Sequence, residues 1–308
     1  MLEKFLLRRP DDEDMQDVLE LMKRCDIRDI GFLDSDLADL QYDWRAIDLS
    51  TDAWIAIDSG GNIKGYGAVL PWGTGKHLAI YDDPGTEETD LYLGLLVLCE
   101  KRAVNMLKEQ DHPDKQEIAA HPSHSADYQK SFLKEAGYSL KRYIFNMHMD
   151  LEKEPPVIET PSGIIIRTMH TGHDEEALHG LIQEAFDWKD REAQPFEEWV
   201  EFMMRPEIYH EDLWFLAEDN GELAGACMGF PYENMGWIRQ LAVAKPYRGL
   251  GLGKALLHQA FHAFKRRGYK MAGLSVESEN ENAYQFYEKA GMSKAVQLDE
   301  FIKLIPRS

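Results

Sequence analysis

Leu241-Ala-Val-Ala-Lys-Pro-Tyr-Arg-Gly-Leu-Gly-Leu-Gly-Lys254 is the stretch on which the fold turns. An apolar strand-like run, Leu241–Val243, leads into a proline turn, and Gly249, Gly251 and Gly253 then alternate as a helical pattern begins. Glycines let main-chain N–H groups approach a ligand closely and adopt φ > 0 where needed. A helix start carries about half a positive charge and several unpaired N–H donors. Together these predict an anion site, most often for phosphate, with Arg248 and Lys254 as cations at its two ends.

Alternating glycines alone are a weak signal, and the spacing tests the better-known loops. A dinucleotide fold needs G-x-G-x-x-G, and here the third glycine comes one residue early. A Walker loop needs G-x-x-x-x-G-K-[ST]. With Gly253-Lys254 as its G-K pair, Arg248 stands where the opening glycine should be and Ala255 where Ser or Thr is required. A glycine-rich turn that merely starts a helix stays open on these residues alone.

The order of elements around the loop narrows the choice. The pattern predicts a strand at 164–167, a helix opened by Thr171-Gly-His-Asp174, with Thr171 as a hydroxyl cap followed by an acid, and running through about Phe186, a helical stretch at 196–204, and a hairpin at 213–217 and 223–230. A strand at 237–243, a helix at 252–267, a strand at 271–276, a helix at 281–290 and one or two closing strands at 292–304 follow. This is a mixed α/β domain. In that setting, Arg248-Gly-Leu-Gly251-Leu-Gly253 resembles the R/Q-x-x-G-x-G/A signature of the GNAT acetyltransferase superfamily. Leu241-Ala-Val243 resembles that family's splayed central strand. Val276-Glu-Ser-Glu-Asn280-Glu-Asn282-Ala283 and Tyr287-Glu-Lys-Ala-Gly291 resemble its last conserved block. The resemblance covers about residues 160–305.

The resemblance implies acetyl-CoA as cosubstrate and no metal. It assigns the pyrophosphate to main-chain N–H groups of Arg248, Gly249, Leu250, Gly251, Leu252, Gly253 and Lys254, with the Leu250 and Leu252 side chains packed inward. It assigns the pantetheine arm to the main chain of Leu241, Ala242 and Val243, one of whose N–H groups polarises the thioester carbonyl. Asn282 matches an asparagine that reaches the cofactor, or it caps a helix. Tyr287 matches the tyrosine that protonates the departing thiolate, or it is a core aromatic. Relatives often carry a glutamate base on the central strand, but Trp237-Ile-Arg-Gln-Leu-Ala-Val243 has no carboxylate. Glu233, Glu277 and a water chain are left as candidates for the base. Tyr232, Trp188 and Asp187 are candidates for the acceptor site. Cys227 lies in a strand-like run and reads as a buried apolar residue.

The chain also repeats itself. Trp54-Ile-Ala-Ile-Asp-Ser-Gly-Gly-Asn-Ile-Lys-Gly65 and Trp214-Phe-Leu-Ala-Glu-Asp-Asn-Gly-Glu-Leu-Ala-Gly225 align at an offset of 160. Arg8 and Arg167 stand 159 apart, and Phe132-Leu-Lys-Glu-Ala-Gly137 matches Phe286-Tyr-Glu-Lys-Ala-Gly291 at 154. Three ordered anchors predict a duplicated fold: two tandem GNAT-like domains with mixed sheets, similar in architecture to mycothiol synthases. The expected division is residues 1–150, a proline-rich linker at 151–162, and a CoA-binding domain at 163–308. The first domain has lost its loop. His77-Leu-Ala-Ile-Tyr-Asp-Asp-Pro-Gly-Thr-Glu-Glu-Thr-Asp90 carries acids that satisfy a helix dipole internally and repel pyrophosphate. Leu133 replaces Tyr287, and Gly73-Thr-Gly-Lys76 reads as a turn.

A length of 308 residues is itself a prior for two domains. The net charge of −21 argues against a general DNA or RNA binder. It fits either solubility or an acidic cleft that collects a cationic amine. Cys25, Cys99 and Cys227 are scattered, without a CxxC pair, which suits the cytoplasm. No run of 18 apolar residues occurs, so no membrane partner is expected. A duplicated chain can bury the face that single-domain relatives use to pair, so monomer and homodimer both stay open. Two functions remain: an N-acetyltransferase acting on a primary amine of a small molecule or peptide, and a CoA-binding regulatory or interaction protein without turnover.

Overall fold

The computed structural model describes residues 2–71, 75–86, 90–109, 116–186 and 194–306. Glu87, Glu88, Gly73, Thr74, Asp187 and Trp188 lie outside the described residues. The chain forms two compact units, Met1–Ile144 with Val296–Ser308, and Phe145–Ala295.

The first unit contains strands β1 (Leu6–Arg8), β2 (Ala53–Ile57), β3 (Ile63–Leu70), β4 (Lys76–Asp82) and β5 (Glu117–Ala120), and the first part of β6 (Ser139–Asp150). Its helices are α1 (Met15–Asp29), α2 (Leu37–Arg45), α3 (Leu49–Asp52), α4 (Asp90–Glu109) and α5 (Asp127–Glu135). Strands β1 to β4 are antiparallel neighbours in order, and β4 pairs β5 in parallel. One apolar layer joins α1 and α2 to the sheet through Val18, Leu21, Trp44 and Tyr66. The other joins α4 and α5 through Leu96, Ala103, Leu133 and Ile118.

The second unit repeats this plan with β7 (Ile164–Thr168), α6 (Glu175–Ala185), α7 (Phe196–Met203), β8 (Trp214–Asp219) and β9 (Glu222–Pro231). It continues with β10 (Gly236–Val243), α8 (Leu252–Arg266), β11 (Met271–Glu277) and α9 (Glu281–Lys289). Strands β7 to β10 are antiparallel neighbours, and β10 pairs β11 in parallel. Each expected helix and strand of this half is present with ends shifted by a few residues. Thr171 is not the cap of α6: its hydroxyl bonds Tyr209 and Glu211, and Asp174 holds the N-cap position.

The repeat anchors have the same local geometry in both units. Arg8 donates two hydrogen bonds of 2.6 Å to Asp14, and Arg167 donates two of 2.6 and 2.9 Å to Asp174. Both acids stand at the start of the helix that follows the first strand. The turn glycines Gly61 and Gly221 have φ of +85° and +88°. After α5 and α9, Gly137 and Gly291 adopt φ of +89° and +99°, and Tyr138 and Met292 donate back to the carbonyls of Leu133 and Tyr287. These are the same helix-ending motif twice.

The division of the chain differs from the expected 1–150 and 163–308. The last strand, β12 (Ser293–Leu304), pairs β5 through Phe301↔Ala120, Ile302↔Ala119, Lys303↔Ile118 and Leu304↔Glu117, so most of it belongs to the first unit. The later residues of β6 belong to the second unit, where Asn146 accepts from Ser275 Oγ of β11 at 2.6 Å. Hydrophobic pattern identifies a strand but not the sheet that receives it. The stretch expected as a linker, 151–162, has no helix or strand. It is fixed to the second unit by Lys265, whose ammonium donates to the carbonyls of Leu151, Glu152 and Lys153.

Burial alone would raise the Asp174 carboxyl. The Arg167 guanidinium, His173 and the His170 N–H outweigh it and hold the carboxyl well below the usual carboxylate range. A carboxyl depressed on folding stabilises above its unfolded value of about 3.9, and the contribution is lost as pH falls through the folded value. Arg167→Met is expected to cost about 3 kcal/mol in urea unfolding at pH 7. The gap from wild type should narrow measurably at pH 3; a gap independent of pH would count against this ion pair.

Candidate active site

The site is built on a parallel pairing that stops. β10 and β11 are in register only at Gly236↔Ala272 and Trp237↔Gly273. Beyond Trp237, β10 keeps its antiparallel partner β9 and has no ladder on the β11 side among the described residues. Gly236 lies at this vertex because α8 presses against it: a Cβ there would meet the Phe264 ring at 2.2 Å. The β9–β10 register skips a residue between Ile238 and Gln240, so Arg239 is the extra residue of a β-bulge.

Which main-chain groups face the gap follows from the ladder. Ala244 N–H donates to the Ala224 carbonyl at 2.9 Å. Directions alternate along an antiparallel ladder, so Ala242 also turns to β9, while Leu241 and Val243 turn to the open side. Of the three expected residues, Ala242 therefore has its main chain committed to the sheet.

At the open end, a short turn at Lys245–Tyr247 leads to the glycine loop, and the Tyr247 hydroxyl anchors it on Asp219 at 3.0 Å. Gly249 and Gly251 have φ of +80° and +88°. Gly251 holds the N-cap position of α8 with no side-chain cap. The N–H groups of Leu252, Gly253 and Lys254 belong to the first turn, where no helical carbonyl can accept them. A Cβ on Gly253 would stand 3.4 Å from both Phe286 and Val243. Bare, positively polarised N–H groups beside an unpaired strand edge fit a pyrophosphate joined to an extended amide-bearing arm.

Two expectations for this loop need correction. Arg248 does not extend its guanidinium from the loop: Nε donates to the Val243 carbonyl and Nη2 to the Ala185 carbonyl, both at 2.9 Å. It ties the loop to the ends of β10 and α6. Leu252 packs inward, but Leu250 is 60% exposed. Its neighbouring glycines carry the turn away from the core.

α9 brings Asn282 and Tyr287 to the same unit. Asn280, not Asn282, caps the helix, accepting from the Ala283 N–H at 3.1 Å. Asn282 is exposed in the first turn of α9. Tyr287 is half-buried, its ring 5.2 Å from that of Phe286. Burial, with the neighbouring Cys227 sulfur adding to it, pushes its phenol above the ordinary value. Cys227 is itself buried and its thiol raised by desolvation. A thiol so placed stays protonated, as expected of a core cysteine. Glu233 and Glu277 are not brought together. Glu233 is exposed in the hairpin turn just before the vertex, whereas Glu277 is half-buried at the open end of β11. Among the described residues no group of three or more His, Cys, Asp or Glu could hold a metal.

Arg239 carries no expectation from the sequence. Its guanidinium lies 4.9, 5.2 and 5.6 Å from the rings of Phe202, Phe230 and Tyr232, and donates to the Tyr232 hydroxyl. A single arginine in an apolar strand was the available signal.

In the first unit, β4 and β5 also part after Leu78↔Ala120. There the gap is answered from within. The Asp82 carbonyl accepts from Arg28 at 2.7 Å and from the Cys25 thiol, and its carboxylate accepts from the Tyr128 hydroxyl at 2.7 Å. Tyr128 holds in α5 the position that Asn282 holds in α9. Asp83 takes Arg24 at 2.7 Å and Lys64 at 3.5 Å. Asp82 and Asp83 thus pair with cations, in place of the expected service to a helix dipole. Asp90 alone of the described acids lies in the first turn of α4.

These features are those of a GNAT domain, and residues 175–292 match the acetyltransferase (GNAT) family. The second unit belongs to that family, and the chain has the family's tandem architecture. The chain is similar to mycothiol acetyltransferases of Amycolatopsis mediterranei (30% identity over 189 residues, 58% of this chain and 62% of that one) and Saccharomonospora viridis (29% over 194 residues, 58% and 62%). The match therefore spans about three-fifths of these curated relatives. A GCN5-related N-acetyltransferase from Sphaerobacter thermophilus has a similar structure, with a TM-score of 0.86, 26% identity and coverage of 99% of this chain and 97% of that one. A tandem GNAT protein from the clavulanic acid biosynthesis pathway shares the fold, with a TM-score of 0.75, 16% identity and 99% coverage of both chains.

Gly251→Ala places a side chain at φ of +88° with nothing else in its way, so the strain is conformational. A cost of about 1–2 kcal/mol is expected, read as a lower unfolding midpoint and about tenfold weaker acetyl-CoA binding in calorimetry. Unchanged affinity would show that the turn does not set the N–H groups for a ligand.

Proposed function

We propose that the second unit is an acetyl-CoA-dependent N-acetyltransferase acting on a primary amine, and that the first unit binds no acetyl-CoA. The observation that carries this is the open edge of β10 running from the vertex to the bare N-terminus of α8. The family match and the acetyltransferase relatives support acyl transfer in general. Three free and buried thiols suit a reducing cytoplasm.

When bound, acetyl-CoA supplies an activated thioester. The first-turn N–H groups of α8 hold its pyrophosphate, and the main chains of Leu241 and Val243 hold its extended arm. An N–H of the Leu241–Val243 stretch steadies charge on the acyl oxygen. Tyr287 holds the proton that the departing sulfur requires, and its raised value keeps the phenol protonated through neutral pH. A lysine-like amine is free in only about one molecule in 10³ at pH 7, so a base is required. Glu233 stands at the vertex end, where the reacting groups meet. Glu277 lies four residues beyond the last paired position, roughly 13 Å along the strand. We therefore favour Glu233, acting directly or through water.

β10 itself carries no carboxylate, which favours a second reading, a CoA-binding protein without turnover. Thiol release from acetyl-CoA with a panel of amines separates the two. Tyr287→Phe is expected to lower kcat by about 10²–10⁴-fold with acetyl-CoA affinity retained.

Titration of the whole chain should give one acetyl-CoA per molecule, uncompeted by ATP. Two equivalents would overturn the assignment of the first unit. A 1–150 fragment is unsuited to this test, because β5 would lack its partner strand β12.

A further inference from the structure

We propose that the side-chain amide of Gln240 holds the attacking amine, its Oε1 accepting one N–H of the acceptor, and that this bond selects a primary amine. The proposal rests on the acetyltransferase reading above and names a residue for the acceptor half of that site.

The inference starts from the face of the sheet on which Gln240 stands. A Cβ on Gly225 would meet Leu256 and Leu252 of α8 at 2.9 and 3.5 Å, and one on Gly229 would meet the Phe264 ring at 2.7 Å. These positions of β9 therefore point at α8, and Met228 between them points to the opposite face. Gln240 is paired with Met228, and directly opposed residues share a face. Its side chain thus rises away from α8. Helix α8 fills its own side of β9 and of the vertex at Gly236, so the acceptor is left the opposite face. Gln240 immediately precedes Leu241, whose main chain faces the gap. Its amide therefore springs from a point one residue, roughly 3.3 Å, along the strand from the N–H groups assigned to the acyl oxygen.

Hydrogen bonding supplies the second observation. Oε1 of Gln240 is buried and has no hydrogen-bond partner among the described residues. Met228, opposite it, and Ala242, two residues on, are both buried, and neither side chain has a donor. A buried acceptor left unpaired is unfavourable by itself, and a donor on a ligand is one way to satisfy it. The residue as a whole is half-buried, so the side chain also reaches open space, and its terminal amide turns about a broad torsion. An N–H arriving over the Leu241 edge meets that oxygen.

The chemistry then fixes the kind of amine. Attack by a primary amine forms the N–C bond and leaves two hydrogens and a positive charge on nitrogen. The base removes one hydrogen as a proton, the C–S bond breaks, and the sulfur leaves with the proton held by Tyr287. The second N–H remains on the amide product, and Gln240 keeps it throughout. A secondary amine has no second hydrogen to give. An amide oxygen is too weakly basic to take the proton itself, so Gln240 orients the nucleophile and leaves the need for a base unchanged.

The experiment uses an amine panel that includes benzylamine, glucosamine and glycinamide, each beside its N-methyl counterpart. Gln240→Leu is expected to lower kcat/KM for the best primary amine about tenfold and to leave its N-methyl counterpart within about twofold, so that the preference shrinks about tenfold. The KM for acetyl-CoA should stay within about twofold. The urea midpoint should hold or rise, because an unpaired buried acceptor gives way to an apolar group of similar size. Gln240→Glu keeps an acceptor oxygen and should retain the preference.

A residue that merely supports the fold would give a different pattern. Equal losses for both members of a pair, or a loss that comes with a lower midpoint and weaker acetyl-CoA binding, overturns the proposal, as does unchanged kcat/KM for the primary amine in Gln240→Leu. In each of these cases acetylation by the wild type still stands. No thiol release with any amine of the panel, or no binding of acetyl-CoA, overturns the acetyltransferase reading instead.

Discussion

An interior strand with one edge left unpaired is the constraint on which the rest of this structure depends. Main-chain N–H and C=O groups are obligatory hydrogen-bonding groups, and burying them without partners costs as much as losing a hydrogen bond at each. β10 keeps β9 along its whole length and loses β11 after two residues. Whatever lies against its open edge must offer donors and acceptors at strand spacing. The glycines of the following loop and the uncapped start of α8 stand at one end of that edge, where Val243 and Phe286 of α9 both lie 3.4 Å from the place of a Cβ on Gly253.

The two units give contrasting answers to the same gap. In the second, the loop after the strand has glycines at 249, 251 and 253, and Arg248 donates to the Val243 carbonyl. In the first, the strand ends in Asp82 and Asp83, and Arg24, Arg28, Lys64 and Tyr128 converge on them. The replacement of an alanine-like strand end by an aspartate draws in an arginine from α1 and a tyrosine from α5, and the set satisfies itself. Duplication followed by internal closure of one cleft accounts for both halves with one backbone plan.

Much of this fold could be read in the sequence, and the reason is local chemistry. Arg8 and Arg167, Gly61 and Gly221, and Gly137 and Gly291 each serve a motif completed within a few residues: an ion pair at a helix start, a hairpin turn, a helix end. The alternating glycines before α8 are legible for the same reason. What could not be read depends on partners far away in the chain. The sheet that receives β12 is set by β5, about 180 positions earlier, and no periodicity carries that choice. The turn of Arg248 onto Ala185 and the approach of Arg239 to the Phe202 ring are likewise made across more than thirty residues. The exchange of Asn282 for Asn280 as the cap has a different origin. Two asparagines two residues apart are equivalent by pattern, and only the backbone at the turn distinguishes them.

The assignment of β12 to the first unit has a consequence for how the chain is made. Ala120 leaves the ribosome about 180 residues before Phe301, its eventual neighbour. At roughly 5–20 residues per second, the β5 edge waits on the order of ten seconds or more for that neighbour. An exposed strand edge is a template for pairing with other nascent chains. Glu117, at one end of that edge, is held by Lys141 at 3.0 Å, and Lys141 is synthesised early. Charge on the waiting edge is therefore present from the start of that interval, before the sheet of the first unit can close.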